Sequence, residues 1–591
     1  MRLNSILYMA VTCALLTMSG CNDFLDTQNY VKKDTSNFPQ NVDDANQLLT
    51  GVYGELNLLN ADPDDAPFFI SEVASDDRFA SGGVNDNGAH GADKLLRYGV
   101  DQFANTWKKH YAGIYKANVA LEGYEKVLDW ESEAQKNSFY GQTYFLRAFY
   151  YFDLAQLFGE VPLILNSAGG NFPKSNADVI YAQIASDLKN GIEMMDATKY
   201  PDFEAGRATR WAAEALMARV FLFYTGYYGE SSLPLLDGGE VTKAEVITWL
   251  EDCRDNSGHD LVGDFRNLWP YTNEYTIDDY PYVAGKIGVD GQPLKWAGDG
   301  NIETIFATKF SNVYALSAGY VNYYALYFAP PINVGESTFP WGRGWGKACV
   351  TPNLWDDWLA EEPTDLRRQA SIIDVTDPNE MKNYTWGANS EMEETGYWQK
   401  KIIAVAAKDP STGGFVNGFA VLASGARNHI QFCNTTDLIH IRYADVLLMH
   451  SELTQTTDGI NKVRQRAGLP VISSYSLDAL KRERRFELAF EGLRWFDLMR
   501  WGDAPDALEK QVGQPIRNAG VPLAMSSFST GFKARYEATG GFWPIPDSQI
   551  DLSEGVLKQN KGWIEADVAN NLQWSSSKQY GIGLDFGFLK D

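Results

Sequence analysis

The chain has 591 residues, 45% hydrophobic and 22% charged, with 77 acidic against 51 basic side chains and a formal net charge of −26. That length exceeds one typical core, so two packed subdomains are expected. The negative charge excludes nucleic acid and an anionic membrane face as main partners, and no H-E-x-x-H or C-x-x-C pattern marks a metal centre among six histidines and five cysteines.

Residues 1–20 read as a signal peptide. Arg2 is the only charge, and the apolar run from Ile6 to Met18 is too short to span a bilayer. Met18-Ser19-Gly20-Cys21 places small residues before a cysteine, in the manner of a bacterial lipobox. The alternative is ordinary cleavage that leaves Cys21 a free thiol. No later stretch of about 20 apolar residues follows, so the remainder reads as a tethered soluble body.

A helix is expected over about residues 42–59, and residues 60–105 read as loop. That loop holds an acidic turn at Asp62-Pro63-Asp64-Asp65, then Asp76, Asp77 and Arg78, then a stretch rich in Gly, Asn and Asp. Long loops are often functional. Asp77 and Arg78 can hydrogen-bond vicinal hydroxyls in pairs; a solvated turn or a calcium loop fits equally well. Apart from such a structural calcium no cofactor is expected, and no loop has EF-hand spacing.

Helices follow at residues 107–128, 139–158, 177–195 and 209–227. Tyr144, Ala148, Tyr151 and Ala155 form a ridge of alternating large and small residues that suits close helix packing. Ala148-x-x-x-Phe152 and Ala218-x-x-x-Leu222 faintly echo tetratricopeptide helices.

From about residue 256 to 437 the helical pattern stops and aromatics crowd together. The whole chain has 17 Trp and 31 Tyr, more than a helical core needs. Trp and Tyr present flat apolar faces with a polar edge, the surface that stacks on sugar rings. Any single aromatic more often belongs to a core. Aromatics in loops have less reason to be buried, so Trp269, Tyr271, Tyr324, Trp341 and Trp345 are the candidate carbohydrate platform, with Asp77 and Arg78 as polar partners. Cys253, Cys349 and Cys433 leave room for one disulfide that the sequence does not assign.

Helical spacing returns at residues 439–452, and residues 478–502 read as one long helix. Phe486, Phe490, Leu493, Phe496 and Met499 share a face, Asp478 can cap the start, and Gly502 can end the helix. Glu491, Arg494, Asp497 and Arg500 alternate in sign at three-residue spacing, which pairs neighbours along the helix without any substrate. Gly492 in mid-helix costs about 1 kcal/mol and implies a backbone passing close by.

The segment from Arg484 to Gly502, Arg-Arg-Phe-Glu-Leu-Ala-Phe-Glu-Gly-Leu-Arg-Trp-Phe-Asp-Leu-Met-Arg-Trp-Gly, is similar to the C-terminal signature of the SusD/RagB family of Bacteroidetes outer-membrane lipoproteins. Further matches lie at residues 145–154, 159–163, 301–307, 365–368, 439–452, 459–470 and 542–563, nearly the length of the mature chain.

The resemblance implies a mainly α, SusD-like fold: four tetratricopeptide-like helical pairs plus an irregular subdomain of loops and short strands. The implied layout is a lipoprotein signal peptide (1–20), an N-terminal helical region (21–255), an irregular aromatic-rich ligand-binding subdomain (256–437) and a C-terminal region returning to the helical scaffold (438–591). It also implies that Cys21 is the lipid anchor, in the outer membrane and facing the cell exterior. The implied function is non-catalytic: capture of an oligosaccharide and delivery to a SusC-like TonB-dependent transporter. Glycan-contacting positions vary within the family, so the seven candidates rest on their residue types alone. Three other readings stay open: a RagB-type peptide binder, a transporter lid without ligand affinity, and a surface glycoside hydrolase, which needs two carboxylates about 5–10 Å apart.

Overall fold

Helices Val42–Leu59, Ala104–Tyr124, Glu133–Phe158, Ala177–Met194, Arg210–Tyr228 and Lys243–Asn256 pack each on the next in chain order; Lys243–Asn256 then packs on Tyr443–Thr454, and that on Asp458–Arg466. Local chemistry fixes their ends. Asn41, Ser132 and Thr209 cap three starts with side-chain oxygens, and Thr242 with Glu245 forms a capping box. Gly229 closes the Arg210–Tyr228 helix in the left-handed region. This computed structural model describes residues 38–83, 86–95, 101–312, 320–335, 338–381, 384–388, 392–525 and 531–564. The signal segment and Cys21 lie outside the described residues.

The described residues between 60 and 105 hold regular elements where a loop was expected. Helix Pro67–Ala74 is buried along its whole length, Arg78–Ser81 pairs antiparallel with Lys347–Val350, and Asn87–Asp93 is a further helix. Pro67 starts the first of these with its φ already set, and an eight-residue helix buried on all sides, Ser71 and Glu72 included, shows no amphipathic periodicity to read.

The expected helix over 478–502 is two helices, Leu477–Glu487 and Arg494–Trp501. Between them Phe490 and Gly492 take φ of 67° and 75°. Ser476, not Asp478, caps the first, accepting from Ala479 N–H. The break docks on helix Pro67–Ala74: Ser71 Oγ donates to Gly492 O (3.1 Å) and Gly492 N–H donates to Glu72 Oε1 (2.8 Å). A Cβ on Gly492 would sit 2.8 Å from the Phe68 ring. The close neighbour is thus a ring, not a passing backbone.

The break also changes where the charges go. Glu491 meets Arg442 and Lys401, Arg494 meets Asp76, and Arg500 meets Glu452; only Asp497 and Arg500 pair along the helix. Glu487 is the hub of a buried network. It receives Arg442 Nη1 at 2.6 Å, Arg367 Nη1 at 2.9 Å and Arg466 Nη2. Arg367 also binds Asp365 and Glu483, and Arg442 binds Glu303.

The irregular stretch carries a second core of its own, built from Phe265, Trp269, Tyr271, Tyr280, Trp341, Trp398 and small aliphatic residues between 262 and 419. Part of the same stretch packs into the scaffold core instead, including Ile305, Phe306, Tyr324 and Phe328. Strands Thr304–Thr308 and Leu438–Arg442 pair antiparallel, so this stretch meets the returning chain beside the scaffold.

Cys253, Cys349 and Cys433 are buried and free, so no disulfide joins any two of them. Burial pushes the Cys349 and Cys433 thiols up to about 12. A protein starting at Asn22 should take up no maleimide when native and three labels in urea, counted by intact mass. Fast labelling of the native protein would contradict this packing.

Candidate functional site

Six of the seven candidates are buried and do not form a ligand surface. Asp77 is gripped by Arg485 (2.7 Å), and Arg78 lies over the Phe328 ring (4.6 Å) with Glu72 at 3.3 Å. Trp269 packs on Phe265, with Lys401 over its ring. Tyr271 donates its hydroxyl to Ala370 O (3.0 Å) and Tyr324 donates to Asn60 Oδ1 (2.6 Å). Trp341 is fully buried against Tyr271 and Tyr280. The reason is physical: a stretch with few regular helices still needs a core, and here Trp and Tyr supply it.

Trp345 is different. It is 37% exposed and lines a cleft of about 380 Å³ with Asp62, Lys109, Tyr323, Tyr327 and Gln431, over Leu58 and Ala61. Two local devices build this site. The first is helix Tyr323–Phe328, capped by Asn322. Tyr324 and Phe328 turn inward onto Phe68 and Phe69, while Tyr323 and Tyr327, four residues apart, line the cleft on another face.

The second device is the run Gly342-Arg343-Gly344-Trp345-Gly346. Its backbone is clipped down by Gly342 N–H to Ala404 O (2.8 Å), Gly344 N–H to Pro330 O (2.9 Å), Trp345 N–H to Leu326 O (2.8 Å) and Gly346 N–H to Ala329 O (2.9 Å). A Cβ on Gly344 would lie 2.3 Å from Ala329 O, and one on Gly342 would lie 2.6 Å from Asn417 O. Only glycine fits there, so the intervening Arg343 and Trp345 stand outward as an exposed pair.

The Trp345 and Tyr327 rings meet at 4.9 Å with a 44° tilt. Lys347 Nζ lies 4.8 Å over the Tyr327 ring and 2.8 Å from Asp64, with Asp86 at 3.7 Å. Tyr327 donates its hydroxyl to Asp62 (3.3 Å) and Asp64 (3.4 Å). Burial first, then these two carboxylates, raise the Tyr327 pKa, so the hydroxyl stays a donor. Burial also raises Asp64, against the pull of Lys347. The cleft therefore offers a flat apolar face with acceptors on one side and Lys109 and Gln431 as donors. Such a surface stacks and hydrogen-bonds.

Sequence reasoning did not single out Tyr323, Tyr327 or Asp62, which line this cleft, or the exposed Arg343 beside it. The alternating glycines were the legible signal. Among the described residues no group of three or more His, Cys, Asp or Glu side chains is placed to hold a metal ion, and no helix is long and apolar enough to cross a membrane.

Comparison with known proteins gives a consistent picture. A family model described as the SusD family matches residues 302–563, and one described as "Starch-binding associating with outer membrane" matches residues 23–222. SusD-like protein P25 of Formosa agariphila is 24% identical over 565 residues, 87% of this chain and 93% of that protein. SusD-like protein P2 of the same organism is 26% identical over 420 residues, 67% of this chain and 70% of that one. Among solved structures, a laminarin-binding SusD-like protein has a TM-score of 0.65 at 22% identity, over 89% of this chain and 100% of its own. Surface glycan-binding protein A from Bacteroides thetaiotaomicron in complex with laminarihexaose has a TM-score of 0.65 at 20% identity, over 88% of this chain and 100% of its own.

Proposed function

Because the chain belongs to the SusD family, we propose that it is a surface glycan-binding lipoprotein that captures an oligosaccharide in the Trp345 cleft and passes it to a SusC-like TonB-dependent transporter. No bond is broken in this role; the work is stacking, hydrogen bonding and release. The observation that carries the reading is Trp345, held over Tyr327 and still 37% exposed, in a cleft rimmed by polar side chains. Two proteins of the same fold are described as glycan binders, one in complex with laminarihexaose. In this reading Cys21 carries the lipid that holds the body at the outer membrane, facing the exterior, and several acyl chains on one residue give stable anchoring.

The test is a glycan panel on the mature protein, followed by calorimetry on the glycan bound best. Trp345→Ala should weaken that glycan by about 2 kcal/mol, roughly thirtyfold, through loss of the stacking face. Its thermal unfolding should stay close to that of the parent, because the side chain is partly in solvent. Peptides bound with no glycan bound, or undiminished affinity in Trp345→Ala, would overturn the reading.

A further inference from the structure

Arg343 stands two residues from Trp345 on the same glycine-clipped ridge, which places their Cα atoms at most about 7 Å apart. That distance compares with the step from one sugar ring to the next. Arg343 is exposed, and its Nη1 donates to Asn333 Oδ1 at 3.1 Å, so the guanidinium is held in place. No carboxylate of the described residues forms an ion pair with it, whereas Arg367, Arg442, Arg466, Arg484, Arg485, Arg494 and Arg500 are all committed to carboxylates. Its remaining N–H groups form a fork that matches two oxygens side by side. Nothing in the fold requires an arginine at this position; Gly342 and Gly344 do the packing.

We infer that Arg343 and Asn333 form a second sugar subsite beside Trp345, and that the ligand is a neutral oligosaccharide laid along the Gly342–Gly346 ridge. This inference rests on the reading of the cleft as a glycan site. The Trp345 indole takes one ring, and the Arg343 fork takes vicinal hydroxyls of a ring next to it. Charge decides for a neutral chain. Beyond Trp345 the cleft carries Asp62, and Asp64 lies behind it, both accepting from the Tyr327 hydroxyl; Lys347 is already engaged by Asp64 and Asp86. Lys109 is the other cation of the cleft. A polyanion that reached Arg343 would bring its next charged unit toward Asp62, and like charges at such range cost affinity.

The experiment uses the full mature chain, a panel of neutral and uronate- or sulfate-bearing glycans, and calorimetry with the monosaccharide and hexasaccharide of the neutral glycan bound best. Arg343→Ala should weaken the hexasaccharide about tenfold, the worth of a hydrogen bond to a charged group, and leave the monosaccharide, which fills the Trp345 subsite alone, within about twofold. Arg343→Lys should recover only part of the loss, because it keeps the charge without the fork. Trp345→Ala should weaken both lengths. Equal loss for both lengths in Arg343→Ala, or no loss, overturns the second subsite. Binding confined to acidic glycans overturns the neutral class. A parent protein that binds no glycan overturns the glycan reading itself.

Discussion

Replacing Glu487 with alanine should destabilise the protein by about 3–5 kcal/mol, among the largest effects expected of a single substitution here. Glu487 is fully buried and takes Arg442, Arg367 and Arg466 on its two oxygens. Removing it takes one carboxylate from three buried guanidinium groups, leaving Arg367 to Asp365 and Glu483, Arg442 to Glu303 and Glu491, and Arg466 to Glu303; the penalty is their reduced compensation away from water more than a lost attraction. The three arginines come from the irregular stretch, the start of helix Tyr443–Thr454 and helix Asp458–Arg466, so one deletion loosens the junction of all three with the C-terminal helices. Urea unfolding checks this: the midpoint should fall without a change in slope. A shift below about 1 kcal/mol would show that the network relaxes around the loss.

This network and a separate buried cluster around Asp445, which pairs with Arg219 and Arg484, set the response to acid. Burial alone would raise the Glu487 pKa, but Arg466, Arg442 and Arg367 outweigh it and hold it well below the ordinary glutamate range. For Asp445, burial is likewise outweighed by Arg219 and Arg484, which bring it to about 2. Both carboxyls are depressed in the folded state. Their stabilisation is complete above the unfolded values, near about 4, and is lost as the pH falls toward 2. Native stability should drop steeply across that window, and Glu487→Ala should flatten the drop.

Gly344→Ala should abolish ligand binding and cost about 1–3 kcal/mol of stability. The new methyl would lie 2.3 Å from Ala329 O and 2.4 Å from Leu326 O. Both neighbours are backbone, so the ridge itself must lift. Lifting it breaks the bonds from Gly344, Trp345 and Gly346 that aim Trp345 into the cleft. Gly51→Ala is the control: a Cβ there meets nothing within 4 Å, and it should leave binding unchanged. Retained affinity in Gly344→Ala would mean that the ridge does not place the ligand.

Most of the helical scaffold was legible because its helices declare themselves by periodicity. The expected helix over residues 42–59 is found at Val42–Leu59, and those expected at 107–128, 139–158, 177–195 and 209–227 are found at Ala104–Tyr124, Glu133–Phe158, Ala177–Met194 and Arg210–Tyr228; Lys243–Asn256, despite its capping box, was not expected. The C-terminal signature misled for the opposite reason. Phe486, Phe490 and Leu493 keep helical spacing across a turn, and only Gly492 signalled the left-handed step. The cleft was half legible. Composition called for exposed aromatics, yet it cannot tell a ring that stacks on sugar from a ring that fills a core lacking aliphatic helices. Tyr324 turns into the core while Tyr323, one residue or about 100° away around the helix, lines the cleft together with Tyr327. Trp345 came out as expected, exposed in a cleft, and the alternating glycines around it state why.

The pairing of Thr304–Thr308 with Leu438–Arg442 brings two points about 130 residues apart in sequence side by side, with Arg442 reaching back to Glu303. A segment whose ends meet can lengthen, shorten or be exchanged without moving the elements that hold those ends. Ligand preference could diversify by such cassette exchange while the scaffold stays fixed. One condition limits it: any replacement cassette must bring its own counterpart of Arg367, or Glu483 is left to Arg464 alone and Glu487 to Arg442 and Arg466, each with one guanidinium fewer.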